Sequence, residues 1–123
     1  MERDKQTEKI IKCAMEVHTA LGPGLLENAY KECLFYKLKK DGFIIEKEKS
    51  LPLSYEGVNL DCGYRIDLLF ENSIVIELKS VKKIEDIHLA QMLTYLKLGK
   101  YKVGLIINFN VTSLKDGIKR VSN

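Results

Sequence analysis

Apolar residues recur at helical spacing in three stretches of the chain. The first stretch runs from Lys5 to Leu21, the second from Leu25 to about Lys40, and the third from Ile84 to about Leu98. Gly-Pro-Gly at residues 22–24 separates the first two stretches, because glycine and proline end helices. The pattern therefore predicts two consecutive helices and a third one much later in the chain.

Each predicted helix has an apolar face that is expected to be buried. The residues expected on these faces are Ile10, Ile11, Ala14, Val17 and Leu21 in the first helix, Leu26, Ala29, Tyr30, Cys33, Leu34 and Leu38 in the second, and Ile84, Ile87, Leu89, Met92, Leu93 and Leu96 in the third.

Strand-forming residues occupy most of the rest. One or two strands are predicted within residues 43–63, and a longer strand follows and ends at Phe70. Residues 74–80 form the next strand, and residues 102–109 are a continuous apolar run of the kind found in buried strands. A helix lies between these last two strands, so they should be parallel and joined by a right-handed crossover. The predicted architecture is an α/β sandwich.

Three charged residues interrupt the two most apolar strands. If the turn between them is centred on Asn72, residue 70 pairs with residue 74, and Asp67 lies opposite Glu77. Alternation along the strands then gives one charged, open face and one apolar face that belongs to the core. The predicted charged face comprises Arg65, Asp67, Leu69, Val75, Glu77 and Lys79, and the predicted apolar face comprises Tyr64, Ile66, Leu68, Phe70, Ile74, Ile76 and Leu78.

Opposed carboxylates at Asp67 and Glu77 need a positive charge between or beside them. Like charges directly opposite one another destabilise a strand pair, and a divalent ion such as Mg²⁺ is well held by carboxylate oxygens. Lys79 could orient or deprotonate an attacking water, or stabilise charge developing on a phosphate. The alternative is that these charges are an ordinary solvated strand face.

Composition adds limits rather than a function. The chain has 123 residues, 46% hydrophobic and 30% charged, which suits a single domain spanning residues 1–123. Its net charge of +3 neither requires nor excludes a nucleic-acid partner. The three cysteines are far apart, which excludes a local zinc ribbon or iron–sulfur site, and the charged N-terminus does not resemble a signal peptide. No apolar run approaches membrane-spanning length, so a cytoplasmic protein is expected.

The spacing from Asp67 to Glu77-Leu78-Lys79 resembles the signature of the PD-(D/E)XK nuclease superfamily, with Ile66 in place of the usual proline. Gln91 to Tyr95 is similar to the QxxxY motif of RecB-like nucleases, and Gly24 to Tyr30 is similar to the motif of the small GxxExxY proteins. The second similarity runs nearly end to end. The resemblance implies a restriction-endonuclease-like αβββαβ core, with a central mixed β-sheet flanked by helices.

The resemblance also implies roles for individual residues. Asp67, Glu77 and the carbonyl group of Leu78 would bind Mg²⁺ or Mn²⁺, and Lys79 would be the catalytic lysine. Glu27 would be a further catalytic acid that completes the metal shell directly or through water. Its alternative explanation is an acidic residue in a first helical turn, favoured by the helix dipole and able to pair with Lys31.

Four further residues are candidates. Gln91 and Tyr95 lie one helical turn apart, so both could bind substrate phosphate or position Lys79. His88 could also reach phosphate, and the resemblance offers His18 as a metal ligand. The alternative for each is an ordinary packed or boundary residue.

The function implied is a metal-dependent nuclease that hydrolyses phosphodiester bonds of nucleic acid, with DNA the expected substrate. The alternative is a non-catalytic module that binds nucleic acid or protein on a nuclease fold. A protein partner that supplies targeting, and a homodimer, are both left open. A group of lysines near the third helix could contact the phosphates of nucleic acid: Lys82, Lys83, Lys97, Lys100 and Lys102.

Overall fold

The computed structural model describes residues 2–123, with side chains from residue 5 onward. Helix α1 spans Glu2–Leu21 and helix α2 spans Glu27–Lys40. The later elements are β1 (Ile45–Ser50), β2 (Leu53–Tyr55), β3 (Val58–Leu60), β4 (Arg65–Phe70), β5 (Ile74–Lys79), α3 (Asp86–Gly99), β6 (Val103–Asn108), a 3₁₀ turn (Leu114–Gly117) and β7 (Ile118–Ser122). Among these residues, no helix combines the length and the apolar character needed to span a membrane.

A five-stranded mixed sheet forms the centre of the fold, in the order β1-β4-β5-β6-β7. Strands β5 and β6 are parallel, as the intervening helix predicts, and the other neighbours are antiparallel. Helix α2, strands β1, β4 and β5, helix α3 and strand β6 reproduce the predicted αβββαβ order, which confirms the fold class. Strand β7 is an addition that the apolar pattern did not predict. Residues 43–63, where one or two strands were predicted, form three: β1 and the separate β2–β3 hairpin.

The predicted turn geometry of the β4–β5 hairpin is confirmed. Phe70 pairs with Ile74, as a turn centred on Asn72 requires. Glu71 and Asn72 both have positive φ angles, of 50° and 52°, and the N–H of Ser73 donates to the carbonyl of Phe70 at 2.9 Å. Asparagine tolerates this left-handed conformation better than most residues.

Helices cover both faces of the sheet, so the prediction of an open charged face is wrong. The larger core lies under α1 and α2 and includes Leu68, Ile76 and Leu78. A second core lies under α3 and includes Leu69 and Val75, which were predicted to share the charged face. The carboxylates therefore lie within a covered sheet rather than on a solvated surface.

Five apolar residues are also placed differently from the prediction. Leu21, at the end of α1, is 39% exposed. Ile66 belongs to the core under α3 instead of the larger core, and Tyr64 precedes β4 and is 41% exposed. Leu26 is 81% exposed, because α2 begins at Glu27 and Leu26 is its extended N-cap. Ile87, in the first turn of α3, is 69% exposed and lines a surface cleft instead of the core.

Candidate active site

The β4–β5 hairpin opens where its two carboxylates occur. Main-chain pairing runs from Phe70–Ile74 to Leu68–Ile76 and stops there. Beyond that point the N–H of Asp67 donates to Oε2 of Glu77 at 2.9 Å, and the N–H of Leu78 donates to Oδ2 of Asp67 at 2.9 Å. Each side chain thus replaces a main-chain acceptor of the opposite strand. Asp67 and Glu77, hereafter the carboxylate pair, face each other across the gap.

Burial and mutual repulsion disfavour ionisation of the carboxylate pair. Glu77 is 8% exposed, and its burial together with the negative charge of Asp67 raises its pKa from 4.5 to about 8. Burial also raises the pKa of Asp67, although the hydrogen bond from Leu78 opposes that increase. The pair therefore retains a proton near neutral pH when no cation is bound.

Three charged side chains surround the carboxylate pair. Beyond the effect of burial, Lys79 lowers and Glu27 raises the pKa of both acids, and Lys31 lowers that of Asp67. Glu27 lies in the first turn of α2 and is exposed, whereas Lys79 ends β5 and is half-buried. The fold therefore brings Glu27, Asp67, Glu77 and Lys79 into one electrostatic environment.

Lys31 has a different partner from the one that its spacing suggests. Its Nζ lies 3.4 Å from Oε2 of Glu48, a β1 residue with a φ angle of 52° that stands opposite Asp67 in the strand register. Among the described residues it makes no ion pair with Glu27. The Glu27 carboxylate is therefore not paired with Lys31, whereas its position in the first turn of α2 keeps the helix dipole as an alternative explanation.

The spacing Gly-x-x-Glu-x-x-Tyr has a structural basis in the loop before α2. The hydroxyl of Tyr30 donates to the carbonyl of Gly22 and accepts from the N–H of Leu25 at 3.1 Å, and its ring stacks on Phe109 with centroids 4.4 Å apart. Gly24 has a φ angle of +101°, which strongly favours glycine. The glycine and the tyrosine together fix the loop from which Glu27 starts the helix.

Two residues that the sequence analysis missed hold the chain just after Lys79. Ser80 Oγ donates to the carbonyl of Leu25 at 2.7 Å, which ties the end of β5 to the loop before Glu27. Buried Asn108 donates through Nδ2 to the carbonyl of Val81 at 2.9 Å and accepts from its N–H at 3.0 Å. One feature of the sequence could have identified Asn108: it is a polar amide within the apolar run of residues 102–109, and a buried amide needs hydrogen-bond partners.

Helix α3 brings its two motif residues together beside the carboxylate pair. Gln91 Nε2 donates to the hydroxyl of Tyr95 at 3.2 Å. Tyr95 is buried, and both its burial and the nearby charge of Glu77 raise its pKa. His88 begins the same helix, where its Nδ1 accepts from the N–H of Glu85 at 2.9 Å. Tyr95 is thus an immediate neighbour of the site, and Gln91 extends from it toward solvent.

His18 has a partner of its own within the fold. Its Nε2 lies 2.8 Å from the carbonyl oxygen of Val111, and its ring lies 6.1 Å from that of Phe109. It also lines a cleft with residues 112–115. These contacts join α1 to the loop after β6, and the role of His18 as a metal ligand stays a prediction.

The carboxylate pair has unused ligand atoms. Within the described part of the chain, no hydrogen bond is donated to Asp67 Oδ1 or Glu77 Oε1, so one oxygen of each acid is available to a cation. Two such hard oxygens suit a divalent ion that retains several waters. Among the described residues, Glu27, Asp67 and Glu77 do not place one ligand oxygen each within 4.8 Å of one another.

A second group of ligand-type side chains lies between α1 and the end of α2. Among the described residues, Cys13, Glu16 and Asp41 each place one ligand atom within 4.8 Å of the other two. However, Lys37 Nζ lies 3.5 Å from Glu16 and 3.6 Å from Asp41, so a cation already neutralises these acids. Burial, followed by the hydrogen bond to Asp41, raises the pKa of the Cys13 thiol to about 11, which disfavours the thiolate needed for metal binding.

Comparison with known proteins agrees with this geometry. The model of the PD-(D/E)XK nuclease superfamily matches residues 4–121, which is nearly the whole chain. Searches of curated proteins and of solved structures found no match. The family match spans both strands of the opened hairpin and the helices on either side of it. The chain therefore belongs to the PD-(D/E)XK nuclease superfamily.

Proposed function

We propose that this protein is a Mg²⁺- or Mn²⁺-dependent nuclease that hydrolyses phosphodiester bonds of DNA. The observation that carries the proposal is the opened β4–β5 hairpin. There, the half-buried Asp67 and the buried Glu77 each keep one oxygen without a donor among the described residues, and Lys79 lies two residues after Glu77. A solvated surface would not need strand pairing to stop at these two residues.

The metal would be held by the carboxylate pair and by the carbonyl oxygen of Leu78, with Glu27 completing the shell through water. When bound, Mg²⁺ or Mn²⁺ supplies Lewis-acid stabilisation of the charge that develops on the phosphate. Burial raises the pKa of both acids, and the charge of Asp67 raises that of Glu77 further. These shifts support the assignment, because a bound cation would stabilise the ionised carboxylates.

Lys79 would act on the attacking water and on the developing phosphate charge. It is half-buried, and none of the described residues forms an ion pair with it, so its ammonium group is available to substrate. Ser80 and Asn108, through Leu25 and Val81, would keep it in register with the carboxylate pair. Restricting the motion of a catalytic group lowers the entropic cost of reaching the transition state.

Gln91 and Tyr95 would bind substrate beside the carboxylate pair, with His88 contacting phosphate at the start of α3. The Gln91–Tyr95 hydrogen bond supports reading these residues as a QxxxY motif. The contacts of Tyr30 and the φ angle of Gly24 support placing the chain among the GxxExxY proteins.

The test is cleavage of labelled single-stranded DNA, duplex DNA and RNA with Mg²⁺ or Mn²⁺. Wild type is compared with Lys79→Ala and with Lys12→Ala, which removes an exposed lysine from α1. We expect cleavage that chelator and Lys79→Ala abolish and that Lys12→Ala leaves unchanged. Cleavage that survives Lys79→Ala would refute the assignment of that lysine.

Calorimetry tests the metal site separately from turnover. Glu77→Ala is expected to abolish the binding of Mn²⁺ that wild type shows. Unchanged binding would show that the carboxylate pair is not the metal site, whatever the cleavage assay gives. A protein that binds nucleic acid but cleaves none of the three substrates would instead be a binding module.

A further inference from the structure

A cleft beside the carboxylate pair has a lining that a phosphodiester site alone does not require. It lies between the start of the β2–β3 hairpin and helix α3, and its volume is about 340 Å³. We name it the aromatic cleft, and it is lined by Leu53, Tyr64, Ile87, Gln91, Tyr95 and Leu98. Its size is at the small end of the range for ligand pockets, which starts at roughly 300 Å³.

Tyr64 and Tyr95 connect the aromatic cleft to the strand that carries Asp67. Tyr95 lines the cleft and packs in the same core as Ile66, the residue before Asp67. The ring of Tyr64 lies 6.0 Å from that of Tyr95 at a tilt of 60°, and Tyr64 remains 41% exposed. An aromatic surface is thus open to a ligand beside the strand that carries Asp67.

A basic cleft adjoins the aromatic cleft. It is lined by Val81, Lys82, Lys83, Glu85 and His88, and His88 lines both clefts. Lys82 and Lys83 are exposed and make no ion pair with described residues. Lys97, Lys100 and Lys102 lie toward the other end of α3, a helix about 20 Å long, and do not line either cleft.

Proteins bind single-stranded nucleic acid by combining aromatic side chains, on which bases stack, with nearby basic residues that contact phosphates. A base that is paired inside a duplex cannot present its ring to such a cleft. We infer that the aromatic cleft binds an unpaired nucleobase next to the scissile phosphate, while Lys82 and Lys83 contact the phosphates beyond it. The substrate is therefore single-stranded or locally unpaired nucleic acid. This inference rests on the proposed function, since it names the substrate class of the same site.

The test measures binding of the full chain without turnover, in chelator, by fluorescence anisotropy. Three probes are used: a labelled thymidine oligonucleotide, an abasic oligonucleotide of equal length, and a duplex of equal length. Wild type should bind the thymidine strand more tightly than both of the others. The abasic strand keeps every phosphate. The difference in affinity between the thymidine strand and the abasic strand therefore measures the contribution of the bases alone.

Two substitutions separate the base contact from the phosphate contact. Tyr64→Ala should weaken binding of the thymidine strand about tenfold, as loss of one stacking surface does, and leave the abasic strand unchanged. Lys83→Ala should weaken both strands equally. Tyr64→Phe keeps the ring and should bind as wild type does. Tyr36→Ala, an equally simple truncation of an exposed tyrosine on α2, is the matched control.

Each alternative result overturns the inference in a defined way. Equal binding of the thymidine and abasic strands, or no effect of Tyr64→Ala, would show that no base enters the cleft. If the duplex binds as tightly as the single strand, the inference that the substrate is unpaired nucleic acid is refuted. Cleavage of the duplex in the presence of metal would then still support the proposed nuclease activity. Base-dependent binding through Tyr64 without cleavage would leave the inference standing and refute the proposed nuclease activity instead.

Discussion

Replacing Glu77 by glutamine should stabilise the metal-free protein at neutral pH. Glutamine keeps an oxygen that can accept from the N–H of Asp67, and it removes the charge that burial and Asp67 oppose. The pKa of the Glu77 carboxyl group rises from 4.5 to about 8 on folding. At a pH between these two values the group ionises when the chain unfolds, and this ionisation favours the unfolded state. The substitution removes that penalty.

The magnitude follows from the two pKa values. Between about pH 4.5 and about pH 8, unfolding of the wild type releases a proton from Glu77, so its free energy of unfolding falls as the pH rises. At pH 7 the free energy of unfolding is lower by on the order of 3 kcal/mol, because each pH unit above 4.5 costs about 1.4 kcal/mol. The advantage of Glu77→Gln should therefore be small near pH 4.5 and grow toward pH 8.

Urea denaturation in chelator, followed by circular dichroism at several pH values, measures this difference. Glu8→Gln, which removes an exposed carboxylate from α1, is the control and should show no such pH-dependent gain. Added Mn²⁺ should stabilise wild type and leave Glu77→Gln with little gain, because a ligand stabilises only the state that binds it. A Glu77→Gln protein that is less stable than wild type at pH 7 without metal would refute this account of the carboxylate pair.

Three further outcomes follow from the contacts around the site. Tyr30→Phe should lower the free energy of unfolding by about 1 to 2 kcal/mol in urea titrations, since two main-chain groups lose their side-chain partner, whereas Tyr36→Phe on the exposed face of α2 should have no effect. Asn108→Ala should cost about 2 kcal/mol and reduce kcat more than Mn²⁺ affinity, because it releases Val81 and the chain after Lys79, the proposed catalytic lysine, but leaves the proposed metal ligands in place. Mn²⁺ affinity measured by calorimetry should increase with pH up to about 8, where Glu77 loses its proton, and an affinity independent of pH between 6 and 8 would contradict the raised pKa.

Local geometry was predictable from the sequence where short-range rules apply. The turn at Asn72 determined that Phe70 pairs with Ile74, and alternation then placed Asp67 opposite Glu77. The parallel pairing of β5 and β6 followed from the helix between them. These predictions needed only the periodicity of strands and the length of one connection.

Predictions failed where the outcome depends on contacts distant in sequence. Alternation placed Ile66 in the larger core, but main-chain pairing ends beside Asp67 and Ile66 packs under α3. Strand β7 is formed by residues 118–122, in which polar and apolar residues do not alternate. Their local strand signal is therefore weak, and β7 depends on pairing with β6. The positioning roles of Ser80 and Asn108 could not be predicted, because their partners lie 55 and 27 residues away along the chain.

The same distances determine when the site can form during folding. The hydrogen bond between Ser80 and Leu25 closes 55 residues, and the contact between His18 and Val111 closes 93. Contacts of such separation carry a large loop-closure entropy and form after local helices and hairpins. The acids on β4 and β5, the glutamate on α2 and the lysine after them are therefore assembled late, once strand β6 has joined the sheet. A partly synthesised or partly unfolded chain would have the individual residues but not the site, so the proposed hydrolytic activity would require the completed fold.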